Sequence, residues 1–111
     1  MKEDCLFCKL YLEGDHVAST RGFVAIRDLH PQADTHLLVL PERHVASFHE
    51  IGEFPADEAK RMLDFVAEVA AEHGLTDYRV VVNAGAGAGQ TIFHLHWHVL
   101  SGGLTGSLAL A

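Results

Sequence analysis

The sequence predicts an α+β domain in which an antiparallel sheet of about five strands packs with one long and one short helix. Three observations support this: short β-branched runs bounded by glycine or proline, one long amphipathic stretch, and a short glycine loop that joins the last two strands. At 111 residues the chain can build one core and is too short for two, so we expect residues 1–111 to form a single domain.

The N-terminal half contains one short helix and two strands. A helix is expected over Leu6 to Glu13, ended by Gly14 and Asp15, and a strand over residues 22–26. A polar loop with a proline occupies residues 29–34. The run from His36 to Pro41 then predicts a largely buried strand that the proline terminates.

The C-terminal half contains the long helix and two further strands. Apolar residues at three- and four-residue spacing predict a helix from about Pro55 to His73, and Gly74 suits its left-handed stop. Residues 79–83 form a β-branched run, and the loop at 85–89 leads into a last strand over residues 91–100.

Charge and composition exclude several classes of function. The formal net charge of -7 argues against a nucleic acid as the main partner. The charged first residues leave no apolar stretch for a signal peptide or a membrane span, so we expect a cytoplasmic protein. In a reducing compartment Cys5 and Cys8 are then half of a metal site or a redox pair, and a structural disulfide is disfavoured.

The most informative run contains three histidines at alternate positions of an apolar stretch. In a strand, His94, His96 and His98 share one face, while residues 95, 97 and 99 point into the core. Imidazoles this close perturb one another's titration, which can prepare a nucleophile or a proton donor. Two alternatives are chance enrichment in a chain with nine histidines and a three-histidine zinc site with an open position.

The glycine-rich loop at 85–89 is a second chemical signal. Its backbone amides can approach a ligand closely, and such amides bind phosphate oxygens. It lacks the Gly-Lys-Ser/Thr ending of a P-loop, and a plain hairpin connection would also need glycine. It does place Asn83, Gln90 and Thr91 directly before the histidines.

These motifs resemble the histidine triad (HIT) superfamily, whose signature is His-φ-His-φ-His-φ-φ with φ apolar. Residues 94–100 satisfy every position. The resemblance extends in order over roughly nine tenths of the chain, through the segments 5–8, 28–36, 41–44, 81–85 and 89–91. The chain is most similar to the small nucleoside phosphoramidases and more distant from diadenosine polyphosphate hydrolases and sugar-phosphate uridylyltransferases.

The resemblance implies roles for the histidines. His96 would attack the α-phosphorus of a nucleotide conjugate and form a nucleotidyl-histidine, which water then hydrolyses. His98 would contact the phosphate or leaving group and help to deliver a proton, and His36 would orient the site.

The resemblance also assigns the nucleotide pocket. Asp28 would bind the ribose hydroxyls. Two further sets of residues would form the base pocket and the phosphate contacts. The base pocket would be Leu6, Phe7, Ile26 and Leu29, and the phosphate contacts Asn83, Gly89, Gln90 and Thr91. Without the family, the four apolar residues would be assigned to core packing and Asp28 to a turn.

A structural zinc site is implied by the same comparison. Its ligands would be Cys5, Cys8, His44 and His94, two thiolates and two imidazoles that suit a closed tetrahedral site outside the chemistry. Unligated thiols are the alternative. The family also implies a homodimer, but residues 101–111 lack the tail that in some relatives borders the partner's site, so the leaving amine stays open.

The expected function is therefore hydrolysis of purine nucleoside phosphoramidates, conjugates of AMP or GMP, with no cofactor needed for the chemistry. Two alternatives are a dinucleoside polyphosphate hydrolase and a nucleotide-binding regulatory module with little turnover. A metal-dependent hydrolase would instead use His94, His96 and His98 as ligands.

Overall fold

The elements of the fold follow from a computed structural model that describes residues 4–104 and 110–111. In chain order they are α1 (Leu6–Glu13), β1 (His16–Thr20), β2 (Phe23–Arg27), β3 (Thr35–Pro41), a 3₁₀ helix (Phe48–Glu53), α2 (Ala56–Glu72), β4 (Arg79–Val81), a 3₁₀ turn (Ala86–Ala88) and β5 (Trp97–Ser101). The strands form one antiparallel sheet in the order β1-β2-β3-β5-β4. The predicted α+β class is confirmed.

One face of the sheet packs against α2 and forms the main core. Phe65, Val66 and Val69 of α2 meet Phe23, Val39, Trp97 and Val99 of the strands. Each such side chain contributes about 1.5–3 kcal/mol when fully buried. Leu95, Trp97 and Val99 therefore lie in the core as the alternation predicted.

The other face packs against α1 and carries the histidines. Phe7 of α1 covers Val24 and Ile26 of β2 and Leu38 and Leu40 of β3. His98 is paired with Leu38 across β3 and β5, so its side chain lies on this same face. At Gly14, a Cβ atom would stand 2.5 Å from the carbonyl oxygen of Leu10, so glycine is required where α1 turns into β1.

Several boundaries differ from those predicted. Neither β1 nor the 3₁₀ helix at Phe48–Glu53 was predicted, and β4 ends at Val81. The last strand begins at Trp97 and not at residue 91, because Leu95 N–H donates to the carbonyl of Val45 and the ring Nε2–H of His94 donates to the carbonyl of Pro41. These bonds replace the strand pairing that would otherwise continue.

Two short segments lie outside the described residues: 1–3, from the charged N-terminus, and 105–109, from the divergent tail. In the part of the chain that the structure describes, no helix is both long and apolar enough to span a bilayer.

Candidate active site and metal centre

The three histidines of the motif are buried side by side beneath α1. The rings of His96 and His98 are 5.0 Å apart, and Phe7 lies edge-on to His96 at 4.7 Å. His36 of β3 reaches the same place, with its Nε2 2.9 Å from Nδ1 of His98. The structure therefore brings together the three residues predicted to be catalytic.

Hydrogen bonds fix the tautomer of His96. Its Nδ1 lies 2.7 Å from the carbonyl oxygen of His94, which can only accept, so Nδ1 carries the proton. The lone pair is then on Nε2, which is buried and has no partner with ordinary hydrogen-bond geometry among the described residues. A neutral imidazole with an unengaged lone pair is a nucleophile.

A second chain of hydrogen bonds gives His98 the opposite tautomer to that of His96. The backbone N–H of Gln32 donates to Nδ1 of His36, so the proton of His36 lies on Nε2. That Nε2–H donates to Nδ1 of His98, and the proton of His98 is therefore on its own Nε2. The unengaged atoms are thus a lone pair on His96 and an N–H on His98.

Burial keeps these imidazoles neutral near pH 7. Burial, with a smaller contribution from neighbouring histidines, lowers the pKa of His98 to about 3 and that of His94 to about 4. Burial also lowers the pKa of His96, against the opposing hydrogen bond to the His94 carbonyl. For His36 the lowering by burial is opposed by the carboxylate of Asp28.

Cys5, Cys8, His44 and His94 place four donor atoms within 4.8 Å of one another. Nδ1 of His94 is 3.4 Å from Sγ of Cys5 and 3.1 Å from Nδ1 of His44. A tetrahedral zinc with bonds of about 2.3 Å to sulfur and about 2.0–2.1 Å to nitrogen separates its ligand atoms by about 3.3–3.8 Å. The four predicted ligands fit such an ion.

The tautomer of His94 agrees with ligation. Its Nε2 lies 2.9 Å from the carbonyl oxygen of Pro41 and so carries the proton. Nδ1, which faces the thiols, keeps its lone pair. This group could hold a metal.

Two other metal sites are disfavoured by the same reasoning. The donor atoms of His94, His96 and His98 do not gather into one group among the described residues, which argues against the three-histidine zinc site. Asp28, His36 and His98 do gather, but Nε2 of His36 carries a proton and cannot also bind a metal.

The predicted phosphate contacts line a cradle that the chain's own end enters. Nδ2 of Asn83 donates to the carbonyl of Leu110 at 3.0 Å, and the backbone N–H of Thr91 donates to that of Ala111 at 3.3 Å. The backbone of Ala111 also lies close enough to His96 to oppose the lowering of its pKa by burial. Gly89 has a φ of +103°, which suits glycine, and lies beside Leu110. Gln90 instead turns its buried amide away from this cradle.

The predicted base-pocket residues occupy different places. Ile26 and Leu29 line a cavity of about 290 Å³ with Leu10, Gly14, Asp15 and Arg27. Leu6 lines a separate cavity with Cys5 and Thr91, and Phe7 is buried against the histidines. The carboxylate of Asp28 contacts two residues. One oxygen accepts from the backbone N–H of His30, and the other is 3.4 Å from Nε2 of His36.

The sequence profile of the HIT domain matches residues 12–103. The chain belongs to the HIT family. A HIT-like protein of Chlamydia pneumoniae is 42% identical over 102 residues, covering 88% of this chain and 90% of that protein. A purine nucleoside phosphoramidase of Escherichia coli (strain K12) is 29% identical over 107 residues, covering 92% and 90%.

Solved HIT structures share the fold. A HIT family hydrolase from Legionella pneumophila superposes with a TM-score of 0.81 at 34% identity, over 89% of this chain and 93% of that one. A Zn-bound histidine triad family protein from Mycobacterium smegmatis gives 0.72 at 27% identity, over 89% and 75%.

Two features of this HIT site were missed by sequence reasoning. Leu10 lines the apolar cavity, and its position one helical turn after Leu6 and Phe7 was the available signal. The approach of Leu110 and Ala111 had no such signal, because their main-chain carbonyls make the contacts.

Proposed function

We propose that this HIT chain is a nucleoside phosphoramidase that works through a nucleotidyl-histidine. The observation that carries the proposal is the pairing of an unengaged lone pair on His96 with an unengaged N–H on His98. Family membership supports it, as does the similarity to a purine nucleoside phosphoramidase of Escherichia coli.

In the first step Nε2 of His96 attacks the α-phosphorus, and the phosphorus–nitrogen bond of the substrate breaks. The departing amine keeps the bonding electron pair and takes up a proton. His98 presents an N–H beside the nucleophile, so it delivers that proton and regains one from the water that attacks in the second step. His36 holds His98 in the required tautomer by occupying its Nδ1.

In the second step water attacks the phosphorus, its proton returns to Nε2 of His98, and the bond between the phosphorus and His96 breaks. The nucleoside monophosphate leaves, and Nε2 of His96 regains its lone pair. The carbonyl of His94 keeps the imidazole oriented throughout, because it binds Nδ1–H in every state.

The nucleoside would lie between Asp28 and the cavity of Leu10, Ile26 and Leu29. A purine buries more apolar surface in such a cavity than a pyrimidine does, and conjugates of AMP or GMP are the substrates we propose. The second oxygen of Asp28 is available to accept from a ribose hydroxyl.

Release of AMP from adenosine 5′-phosphoramidate, run beside a diadenosine polyphosphate, tests this proposal. The native chain should cleave the phosphoramidate faster, and His96→Ala should lose cleavage while it retains AMP binding. Faster cleavage of the polyphosphate would favour a dinucleoside polyphosphate hydrolase instead.

A regulatory nucleotide-binding module is the second candidate, and one observation favours it. Leu110 and Ala111 already engage Asn83 and Thr91, so the cradle is partly filled by the chain itself. Tight AMP binding with no cleavage of either substrate would support this candidate.

We propose zinc as the metal at the centre formed by the two cysteines, His44 and His94. When bound, it would tie the N-terminus of α1 to the segment that follows β3 and to the segment that precedes β5. It would supply no chemistry to the reaction. Thiolate ligands persist in a reducing compartment, which fits the cytoplasm.

We also propose a homodimer formed along β4. This strand is at the edge of the sheet, where its outer backbone groups have no partner strand among the described residues. Val80 is 42% exposed and Tyr78 40% exposed, which offers apolar surface to a second copy. Sedimentation of the native chain and of Val80→Lys tests this, and only the native chain should dimerise.

A further inference from the structure

Gln90 is a buried amide with every strong hydrogen-bonding group engaged. Its Oε1 accepts from the backbone N–H of Gly85 at 2.9 Å, and its Nε2 donates to the carbonyls of Ala46 at 2.7 Å and Ile92 at 3.0 Å. Its own backbone N–H donates to the carbonyl of Gly85 at 3.1 Å. Only 3% of the residue is exposed. We call this set of bonds the Gln90 clamp.

The clamp joins three segments that carry different parts of the site. Gly85 begins the glycine loop that leads to the phosphate cradle. Ala46 follows the metal-centre residue His44 by two positions, and Ile92 precedes His94 by two. A single side chain therefore ties the phosphate loop to both segments that supply imidazoles to the metal centre.

The two metal-ligand segments are also bonded to each other. Leu95 N–H donates to the carbonyl of Val45, next to Ala46. A metal that fixes His44 and His94 would thus fix the two carbonyls that Gln90 binds. Because the amide is buried, the loss of either carbonyl would leave a donor unsatisfied, and the alternative positions of Gln90 are few.

We propose that Gln90 is a positioning residue that couples the metal centre to the phosphate loop. The proposal rests on the proposed nucleotide site and on zinc as the metal. Metal binding orders the clamp and so tightens nucleotide binding, and by linkage the nucleotide tightens metal binding by the same factor. Gln90 itself does not touch the phosphate, since its amide groups are used within the protein.

The test measures two affinities in two states. The Kd for AMP is measured in zinc-loaded and chelator-stripped protein, and the Kd for zinc is measured by chelator competition with and without saturating AMP. In the native chain we expect AMP to bind about fivefold or more weakly after stripping, and AMP to strengthen zinc binding by the same factor.

Two variants remove the clamp in different ways. Gln90→Ala deletes all its side-chain bonds, and Gln90→Glu keeps the shape and the acceptor for Gly85 but loses both donors. In both we expect the coupling factor to fall to about one while zinc still binds, since all four ligands remain. Gln90→Glu preserves the test if Gln90→Ala fails to fold.

Arg43→Ala is the matched control. Arg43 adjoins His44, but its guanidinium binds Glu58 on the outer side and makes no contact with Gln90. This variant should keep the native coupling factor. The proposal is overturned if the native chain shows no coupling or no zinc binding, or if the Gln90 variants couple as the native chain does. If zinc and AMP binding are coupled but the phosphoramidate is not cleaved, only the proposed activity is contradicted.

Discussion

The carbonyl of His94 accepts a hydrogen bond from Nδ1 of His96 at 2.7 Å, while the side chain of His94 faces two thiols and a second imidazole. One residue thus serves the metal centre with its ring and orients the nucleophile with its main chain. The two sites are adjacent because alternate side chains of the motif share one face, and the intervening Leu95 anchors the segment in the core.

Replacing His98 by Asn should slow phosphoramidate cleavage by about 10²–10⁴-fold, the usual contribution of a proton donor. The loss should be much smaller for an aryl ester of AMP, whose leaving group departs without a proton. Steady-state rates with both substrates check this. His16→Gln, which changes an exposed histidine of β1, is the control and should act as the native chain. Equal losses on the two substrates would show that His98 does not deliver the proton.

The stability of the fold should depend on pH through His98. Burial lowers its pKa to about 3, whereas in the unfolded chain it titrates near pH 6.5. Below about pH 6.5 the unfolded state binds a proton that the folded state does not, so the free energy of unfolding falls as pH falls. Each pH unit down to about 3 removes about 1.4 kcal/mol per such group.

Denaturant unfolding of the native chain and of His98→Asn between pH 6.5 and 4, both stripped of metal, measures this contribution. The variant should show the shallower dependence on pH, whatever its absolute stability. Parallel curves for the two proteins would mean that His98 is not held neutral by the fold.

Removal of the chain's own end from the cradle should strengthen nucleotide binding. A variant that ends at Ala109 frees Asn83 and the amide of Thr91 from two hydrogen bonds. Two such bonds contribute about 0.5–1.5 kcal/mol each, so the Kd for AMP should fall by about tenfold. Isothermal titration with AMP measures it, and an unchanged Kd would show that residues 110 and 111 do not compete with the phosphate.

Loss of one thiol should unload the metal centre. Cys8→Ser is expected to bind zinc weakly and to melt about 4 °C or more below the zinc-loaded native chain. Chelator should lower the Tm of the native chain and leave that of the variant unchanged. His96→Ala serves as the control and should keep its metal. If chelator does not change the Tm of the native chain, a structural zinc is contradicted.

The sequence predicted those parts of the fold that local patterns encode. The bounds of α1 match the prediction because Gly14 marks its end, and α2 agrees within one residue at each end. β1 was missed, since its partly exposed residues carry no apolar alternation. The start of β5 was placed too early, because the partners of residues 94 and 95 are loop carbonyls far away in the sequence.

Two parts of the site were predictable from the sequence, whereas the base pocket and the position of the Gln90 amide were not. The histidines and the four metal-centre residues converge as the motif and the resemblance implied. The orientation of Gln90 was not predictable, because its partner Ala46 lies 44 residues away and offers only a backbone carbonyl. Tautomers likewise depend on backbone groups, such as the carbonyl of His94 and the amide of Gln32.

The stereochemical course at phosphorus tests the central claim most directly. A single diastereomer of an adenosine 5′-thiophosphoramidate is hydrolysed in heavy-oxygen water by the native chain, and the configuration of the product is determined. Attack by His96 followed by attack of water comprises two inversions, so the account predicts net retention. Net inversion would mean that water attacks the phosphorus directly, and His96 would not be the nucleophile.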